Sequence, residues 1–213
     1  MRQHHIRNRQ QLIDDFGSYI VDDPHAAKGH WAELFGNDRP VKLEIGSGKG
    51  AFITAICLRD RDTNFIACEG AYNVYPRIPQ KAAAFNVRNL LVLPNYITDP
   101  REFFEDDEIS GIYLNFSDPW GKKRYNNRRL TYRDKIEGYR HICRSGSALE
   151  FKTDNDELFQ FSLDELAYLG LVPEIVEYDL HNSPYNVNNI PTEYEEKFTE
   201  QGIAIKYLRL IFT

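Results

Sequence analysis

The run Lys42-Leu43-Glu44-Ile45-Gly46-Ser47-Gly48-Lys49-Gly50 constrains this chain more than any other stretch, because an apolar, strand-like segment ends on a carboxylate and then turns through three glycines. Glycine takes positive φ without a Cβ penalty and lets the backbone approach a ligand. A helix starting near Lys49 would therefore aim its free amide groups at whatever lies in the loop. Phosphate suits such a loop, but Glu44 stands where a pyrophosphate would have to pass. A carboxylate there repels phosphate and favours a ligand bearing an ammonium or a sulfonium. S-adenosylmethionine carries both. The spacing leaves other readings open. Gly46-x-Gly48-x-x-Ala51 also fits the dinucleotide fingerprint, Glu69 lies near the distance of an acidic ribose ligand for either cofactor, and a plain structural turn is a third possibility.

At 213 residues the chain suffices for one α/β domain with a substantial core and is too short for two large ones. Hydrophobic residues make up 42% and charged residues 27%, with no apolar run of membrane-spanning length and no secretory signal behind Met1-Arg2-Gln3. A cytoplasmic protein without a membrane partner is expected. Cys57, Cys68 and Cys143 are scattered without metal spacing, so neither a disulfide nor a metal is expected. The net charge of -6 argues mildly against a nucleic-acid partner. Its distribution matters more. Between Pro119 and Arg144 stand Lys122, Lys123, Arg124, Arg128, Arg129, Arg133, Lys135, Arg140 and Arg144, against only Asp134 and Glu137. This reads as a local cationic surface beside the candidate cofactor loop, although a solvated helix face plus a charged loop has the same signature.

Residues 1–39, with Arg2, His4, His5, Arg7 and Arg9, read as an N-terminal arm followed by a short helical stretch around Gln11 to Ile20; residues 40–213 read as the main domain. From Val41 strand and helix alternate: strand Val41 to Ile45, helix after Lys49, strand Asn64 to Cys68, helix to Phe85, strand Asn89 to Leu93, short helix near Pro100 to Phe104. There follow strand Gly111 to Phe116, a polar loop, helix Arg133 to Cys143, strand Ser147 to Lys152 and helix Asp156 to Leu169. Pro76 and Pro79 predict a late start for the helix after the second strand, with one proline in its first turn. Strands near Leu171 to Asp179 and Ile203 to Phe212 are too close for a crossover helix and are expected to pair antiparallel. Five strands in βα units plus such a pair give an α/β fold with a seven-stranded mixed sheet and helices on both faces. This is the Rossmann-like class I arrangement of S-adenosylmethionine-dependent methyltransferases, which weakens the nicotinamide reading. Ligands of open sheets lie beyond the carboxyl ends of the strands, where Glu44, Glu69, Ser117-Asp118 and Thr153-Asp154 all fall.

The segment Tyr113 to Arg124 places polar groups at the end of the fourth strand, then a proline turn, an aromatic and a basic cluster. Chemistry on a nucleobase needs groups for the base edge, a surface to stack on and cations for flanking phosphates. Asp118 as a turn former and Trp120 as core are the plainer alternatives. Four separated motifs resemble those of the bacterial tRNA (guanine-N7)-methyltransferase family. They are Glu44 to Gly50; Asn115 to Trp120 with Lys122-Lys123-Arg124 and Arg128-Arg129-Leu130; Phe151 to Asn155; and Thr192 to Phe198. The resemblance runs from about Trp31 to the C-terminus.

It implies methyl transfer from S-adenosylmethionine, with S-adenosylhomocysteine as product, to N7 of a guanine in the variable loop of tRNA. Glu44, Gly46, Gly48, Glu69, Asn95 and Asp118 would hold the cofactor, with Asp118 also the catalytic residue. Lys122, Arg124, Asp154, Thr192, Glu193, Tyr194 and Glu195 would contact substrate, with Glu193 and Glu195 able to accept hydrogen bonds from the N1 and N2 edge of the base. No metal is implied, and monomer and homodimer are both compatible. The chain departs from the family at two places. The family's aspartate and alanine after the third strand are replaced by Val92-Leu93-Pro94-Asn95-Tyr96, where Asn95 would have to serve the adenine; and Gly121 stands where proline is usual, which should loosen the loop. A weak or inactive tRNA-binding paralogue is the alternative these departures raise.

Overall fold

The computed structural model describes residues 9–213, apart from the side chain of Glu193, so Arg2, His4, His5 and Arg7 of the expected arm lie outside the described residues. Helices α1 (Arg9–Phe16) and α2 (Trp31–Phe35) precede strand β1 (Val41–Ile45), helix α3 (Ala51–Arg59), β2 (Asn64–Cys68), α4 (Arg77–Ala84), β3 (Leu90–Leu93) and β4 (Ile109–Asn115). Then follow α5 (Arg133–Ile142), β5 (Cys143–Thr153), α6 (Asp156–Tyr168), β6 (Ile175–Glu177), α7 (Glu193–Thr199) and β7 (Lys206–Ile211). The strands form one sheet in the order β3-β2-β1-β4-β5-β7-β6. The first five are mutually parallel, and β7 runs antiparallel to both β5 and β6.

Strands β2 and β3 are apolar on both sides because each side is covered. In β2, Phe65 and Ala67 face α3 and α4 through Phe52, Ile53, Ile56, Ile78 and Ala82. Ile66 and Cys68 face the opposite layer, where Trp31, Ile136, Tyr139, Leu158 and Phe159 pack with Leu43 and Ile45. Period-two alternation thus distributes one strand between two cores. Trp31, fully buried, donates its indole N–H to the Phe103 carbonyl at 3.0 Å, so α2 belongs to the domain's packing. The N-terminal segment also joins the sheet edge through a bridge between Ile20 and Val92.

Element ends follow local chemistry. Pro76 caps α4 and Pro79 lies in its first turn, as the two prolines suggest. Asn155 caps α6 by accepting from the Leu158 N–H at 2.7 Å. Strand β5 starts earlier than expected, because Gly146 takes φ 85° and donates to the Phe212 carbonyl at 2.7 Å, carrying the chain through Ser145-Gly146-Ser147 without leaving the sheet. Strand β6 is confined to Ile175–Glu177, and the polar loop after β4 contains a 3-10 turn over Lys123–Arg128. Cys57, Cys68 and Cys143 are buried and free. Among the described residues no helix is long and apolar enough to cross a membrane.

Candidate active site

The strand order reverses between β1 and β4, and open α/β sheets place their ligands at such a switch point, beyond the strands' carboxyl ends. Glu44, next to last in β1, is 2% exposed. Its Oε1 accepts from the Asn115 amide at 2.9 Å, while Oε2 is buried without a hydrogen-bond partner among the described residues. Burial pushes its carboxyl up to about 7, against pulls downward from the Asn115 amide, the nearby Ser47 hydroxyl and the Lys152 charge. The loop after it is set by Gly46, Gly48 and Gly50 at φ 81°, 54° and 76°. Gly46 and Ser47 donate their N–H groups to the Cys68 carbonyl at 2.8 and 3.1 Å, tying the loop to β2. A Cβ at Gly48 would meet open space, so this is where a ligand can come against the backbone; at Gly50 it would fall 3.0 Å from Ile78, against which α3 packs.

Glu69, just past β2, accepts the Gly48 N–H at 2.9 Å on one oxygen and the Ala71 N–H at 2.8 Å on the other. Partial burial raises its pKa, with nearby Asp118 adding to the rise. Asn95 lies half-buried past β3. Beside it, Tyr96 is 72% exposed and its ring lies on Gly70, where an added Cβ would fall 2.3 Å from Tyr96 Cγ. The departure after the third strand therefore has a structural counterpart: a large ring at 96 requires a bare backbone at 70.

The turn after β4 is strained on both sides of Asp118. Phe116 and Trp120, neither a glycine, take φ 51° and 43°, a conformation that costs on the order of 1–3 kcal/mol per residue and persists only when the surroundings hold it. The holder is Arg129. Its guanidinium is buried, donates to the carbonyls of Pro119 (2.8 Å) and Trp120 (3.4 Å), and lies 4.2 Å over the Phe161 ring. Asp118 is exposed at the tip. Gly121 is exposed, with open space around it.

The cationic segment divides into two populations. Lys122, Lys123, Arg124 and Arg128 are exposed around the 3-10 turn, where Arg128 lies 4.9 Å from the Trp120 ring and 4.8 Å from that of Tyr125. The expectation of one basic surface from Pro119 to Arg144 is corrected for four others, while Arg140 stays exposed beside Glu137. Arg129 faces inward, Arg133 pairs with buried Glu165 at 2.7 Å and stacks on Tyr168, buried Lys135 donates to the carbonyls of Ile97 and Thr98, and Arg144 donates to that of Asp107. Their charges satisfy backbone carbonyls and a buried acid.

Thr192 to Glu195, expected to contact substrate, lie at the start of α7. Thr192 and Glu195 turn inward as the capping box that starts α7, the threonine hydroxyl accepting the Glu195 N–H at 3.0 Å. Glu195 is 0% exposed and pairs with Lys152 at 2.7 Å. Of this motif Tyr194 is exposed, while the Glu193 side chain lies outside the described residues. Asp154, half-buried past β5, receives the Lys206 ammonium on its backbone carbonyl at 3.0 Å. Glu69 is thus tied to the glycine loop that follows Glu44, with Asp118 near enough to raise its pKa, while Asn95 follows β3 and Lys122 and Arg124 are exposed on the turn after β4. Sequence reasoning missed Asn115, Lys152 and Arg129. The adjacency of Asn115 and Lys152 becomes visible only in the β4–β5 register, where they are direct partners.

Comparison with known proteins gives concordant results. A family profile described as "Putative methyltransferase" matches residues 38–208. A tRNA (guanine-N(7)-)-methyltransferase of Geobacillus thermodenitrificans is 45% identical over 203 residues, 94% of this chain and 94% of its own. A protein of the same description from Streptococcus mutans is 38% identical over 205 residues, 96% of this chain and 97% of its own. Among solved structures, the 16S rRNA methyltransferase KamB superposes with a TM-score of 0.65 at 15% identity, covering 87% of this chain and 93% of its own, a likeness of fold.

Proposed function

The chain belongs to the bacterial tRNA (guanine-N7)-methyltransferase family, and from that premise we propose that it transfers a methyl group from S-adenosylmethionine to N7 of a guanine in the variable loop of tRNA, in the cytoplasm. The observation that carries this reading is the buried, unpartnered Oε2 of Glu44 at the switch point, next to an exposed cationic turn.

The residues present fit the cofactor. An ammonium would satisfy Glu44 Oε2; Glu69, with one backbone N–H on each oxygen, keeps lone pairs for ribose hydroxyls; the open space at Gly48 admits the chain between them; and the Asn95 amide can accept from an adenine amino group. When bound, S-adenosylmethionine supplies an electrophilic methyl on a sulfonium.

Guanine N7 already holds an in-plane lone pair, so no base has to remove a proton, and the protein's main task is to orient the purine. Attack leaves positive charge on the ring. The Asp118 carboxylate, fixed on its strained turn, stabilises that charge as it develops. Lys122, Lys123, Arg124 and Arg128 bind phosphates of the flanking strand, and Trp120 and Tyr125 offer stacking surfaces.

Adjacent arginines then have separable jobs. Arg128→Ala is expected to weaken tRNA binding about threefold to tenfold and to flatten its salt dependence. Arg129→Met releases the turn and is expected to lower kcat at least about tenfold with tRNA affinity little changed. Filter binding across a salt series and single-turnover kinetics read the two effects; equal losses of affinity would contradict the division.

The reaction itself is tested by incubating unmodified tRNA with protein and S-adenosylmethionine, digesting to nucleosides and analysing by mass. 7-Methylguanosine is expected. Its absence while the cofactor still binds would reject the proposal.

A further inference from the structure

Residues 94–100 follow β3, include the departure from the family's usual sequence, and are held from two sides. On one side the end of β2 approaches. The Leu93 carbonyl accepts both the Glu69 N–H at 3.2 Å and the Asn95 N–H at 2.9 Å, so Glu69 and Asn95 stand side by side where their strands end. Gly70 comes next, and its backbone takes no positive φ, so the conformation there does not call for glycine. Clearance does. A Cβ at position 70 would fall 2.3 and 2.4 Å from Cγ and Cδ2 of the Tyr96 ring and 2.6 Å from the Tyr96 nitrogen.

On the other side lies α5. Lys135, 7% exposed, donates to the carbonyls of Ile97 and Thr98, each at 3.0 Å. One turn further along the helix, a Cβ at Gly138 would fall 2.8 Å from Pro100 Cδ, so the helix backbone meets the proline ring directly. Taking an ammonium out of water is unfavourable, and here it secures the two residues that follow Tyr96. The ring so secured does not serve the core. Tyr96 is 72% exposed, with Cγ and Cδ2 over Gly70 and the rest of the ring surface free. It is a flat, open aromatic on the residue next to the carboxylate assigned to the ribose, and it adjoins the amide assigned to the adenine amino group. A fixed ring in that place suits a nucleobase, which stacks through its π-face.

We propose that Tyr96 is the stacking platform for the adenine of S-adenosylmethionine, its ring occupying the space that a side chain at position 70 would fill, and that Lys135 is the positioning residue that holds it there. This rests on the assignment of S-adenosylmethionine to this end of the sheet.

Calorimetric titration with S-adenosylhomocysteine tests both parts. Tyr96→Ala is expected to weaken binding about tenfold, the scale of one base stacked on one aromatic ring, and Tyr96→Phe to stay within about twofold of the parent. Lys135→Met is expected to weaken binding about fivefold while Tyr96 is present. Because Lys135 acts through Tyr96, the double variant Tyr96→Ala/Lys135→Met should bind within about twofold of Tyr96→Ala alone, a coupling that general support of the fold would not produce. Affinity for tRNA, measured by filter binding, should be unchanged in Tyr96→Ala. In Tyr96→Trp the indole fluorescence should be quenched on saturation with S-adenosylhomocysteine, beyond any change seen in the parent.

Parent affinity in Tyr96→Ala overturns the proposal. So does a loss confined to tRNA, which would make the ring a platform for an RNA base. If Lys135→Met adds its full loss on top of Tyr96→Ala, the positioning role is overturned. A parent protein that does not bind S-adenosylhomocysteine would instead overturn the cofactor assignment.

Discussion

Glu44→Gln is expected to weaken S-adenosylhomocysteine binding about 100-fold and, in the ligand-free protein, to raise stability above pH 7. Both effects have one cause. The carboxyl is buried, one oxygen is satisfied by Asn115 and the other has no partner, so its charged form is disfavoured until a cation arrives. Its pKa stands at about 7, against 4.5 for an ordinary glutamate. Below pH 4.5 folded and unfolded chains both hold the proton. Between 4.5 and 7 only the folded chain keeps it, and above 7 the folded chain must carry a buried charge. The native state therefore loses stability as pH rises through this window, by about 3 kcal/mol in all, and glutamine does not titrate. Denaturant unfolding without cofactor should show the gap between variant and parent widening in favour of the variant from pH 5 to pH 8. A gap that stays constant would remove the burial argument. The same titration makes cofactor binding release a proton near neutral pH, which calorimetry in buffers of differing ionisation enthalpy detects.

Asp118→Ala is expected to lower kcat about 1,000-fold, the scale for removing one preorganised electrostatic group from a transition state. Stability should change by less than about 0.5 kcal/mol, because the side chain is exposed at the tip of the turn and the conformation around it is held by Arg129 from within. Asp118→Asn keeps the shape without the charge. If transition-state charge is what Asp118 serves, asparagine and alanine should be similarly slow. A wild-type rate in asparagine would assign the residue to shape alone, and an unfolded alanine variant would contradict its exposed placement.

The parts of the fold that were legible in the sequence are those governed by local pattern. Val41 to Ile45 and Asn64 to Cys68 announce themselves as strands, the first by alternating apolar residues with Lys42 and Glu44 and the second by an apolar run, and the observed bounds coincide. The glycines at 46, 48 and 50 mark a loop in which all three take positive φ. Asn155 and the pair Thr192 and Glu195 are capping residues recognisable from spacing, yet the second pair was expected to meet substrate through family resemblance. Spacing alone could not decide between cap and ligand, because a glutamate serves either purpose and the cap contacts close only when α7 folds. The charge-rich stretch from Lys122 to Arg144 was misleading for a related reason. Arg129 and Lys135 turn inward onto carbonyls supplied by residues 9 or more positions away, contacts that exist only once β3, β4, α5 and α6 have packed. Long-range partnerships such as Glu44 with Asn115, 71 residues apart, leave no trace in periodicity.

The most direct measurement is a crystal structure of the protein with S-adenosylhomocysteine. The account requires the ligand's amine within hydrogen-bond distance of Glu44 Oε2, its ribose hydroxyls on Glu69 and its adenine beside Asn95 and Tyr96. A ligand that leaves Glu44 Oε2 without a partner, or that lies away from the switch point between β1 and β4, would contradict it.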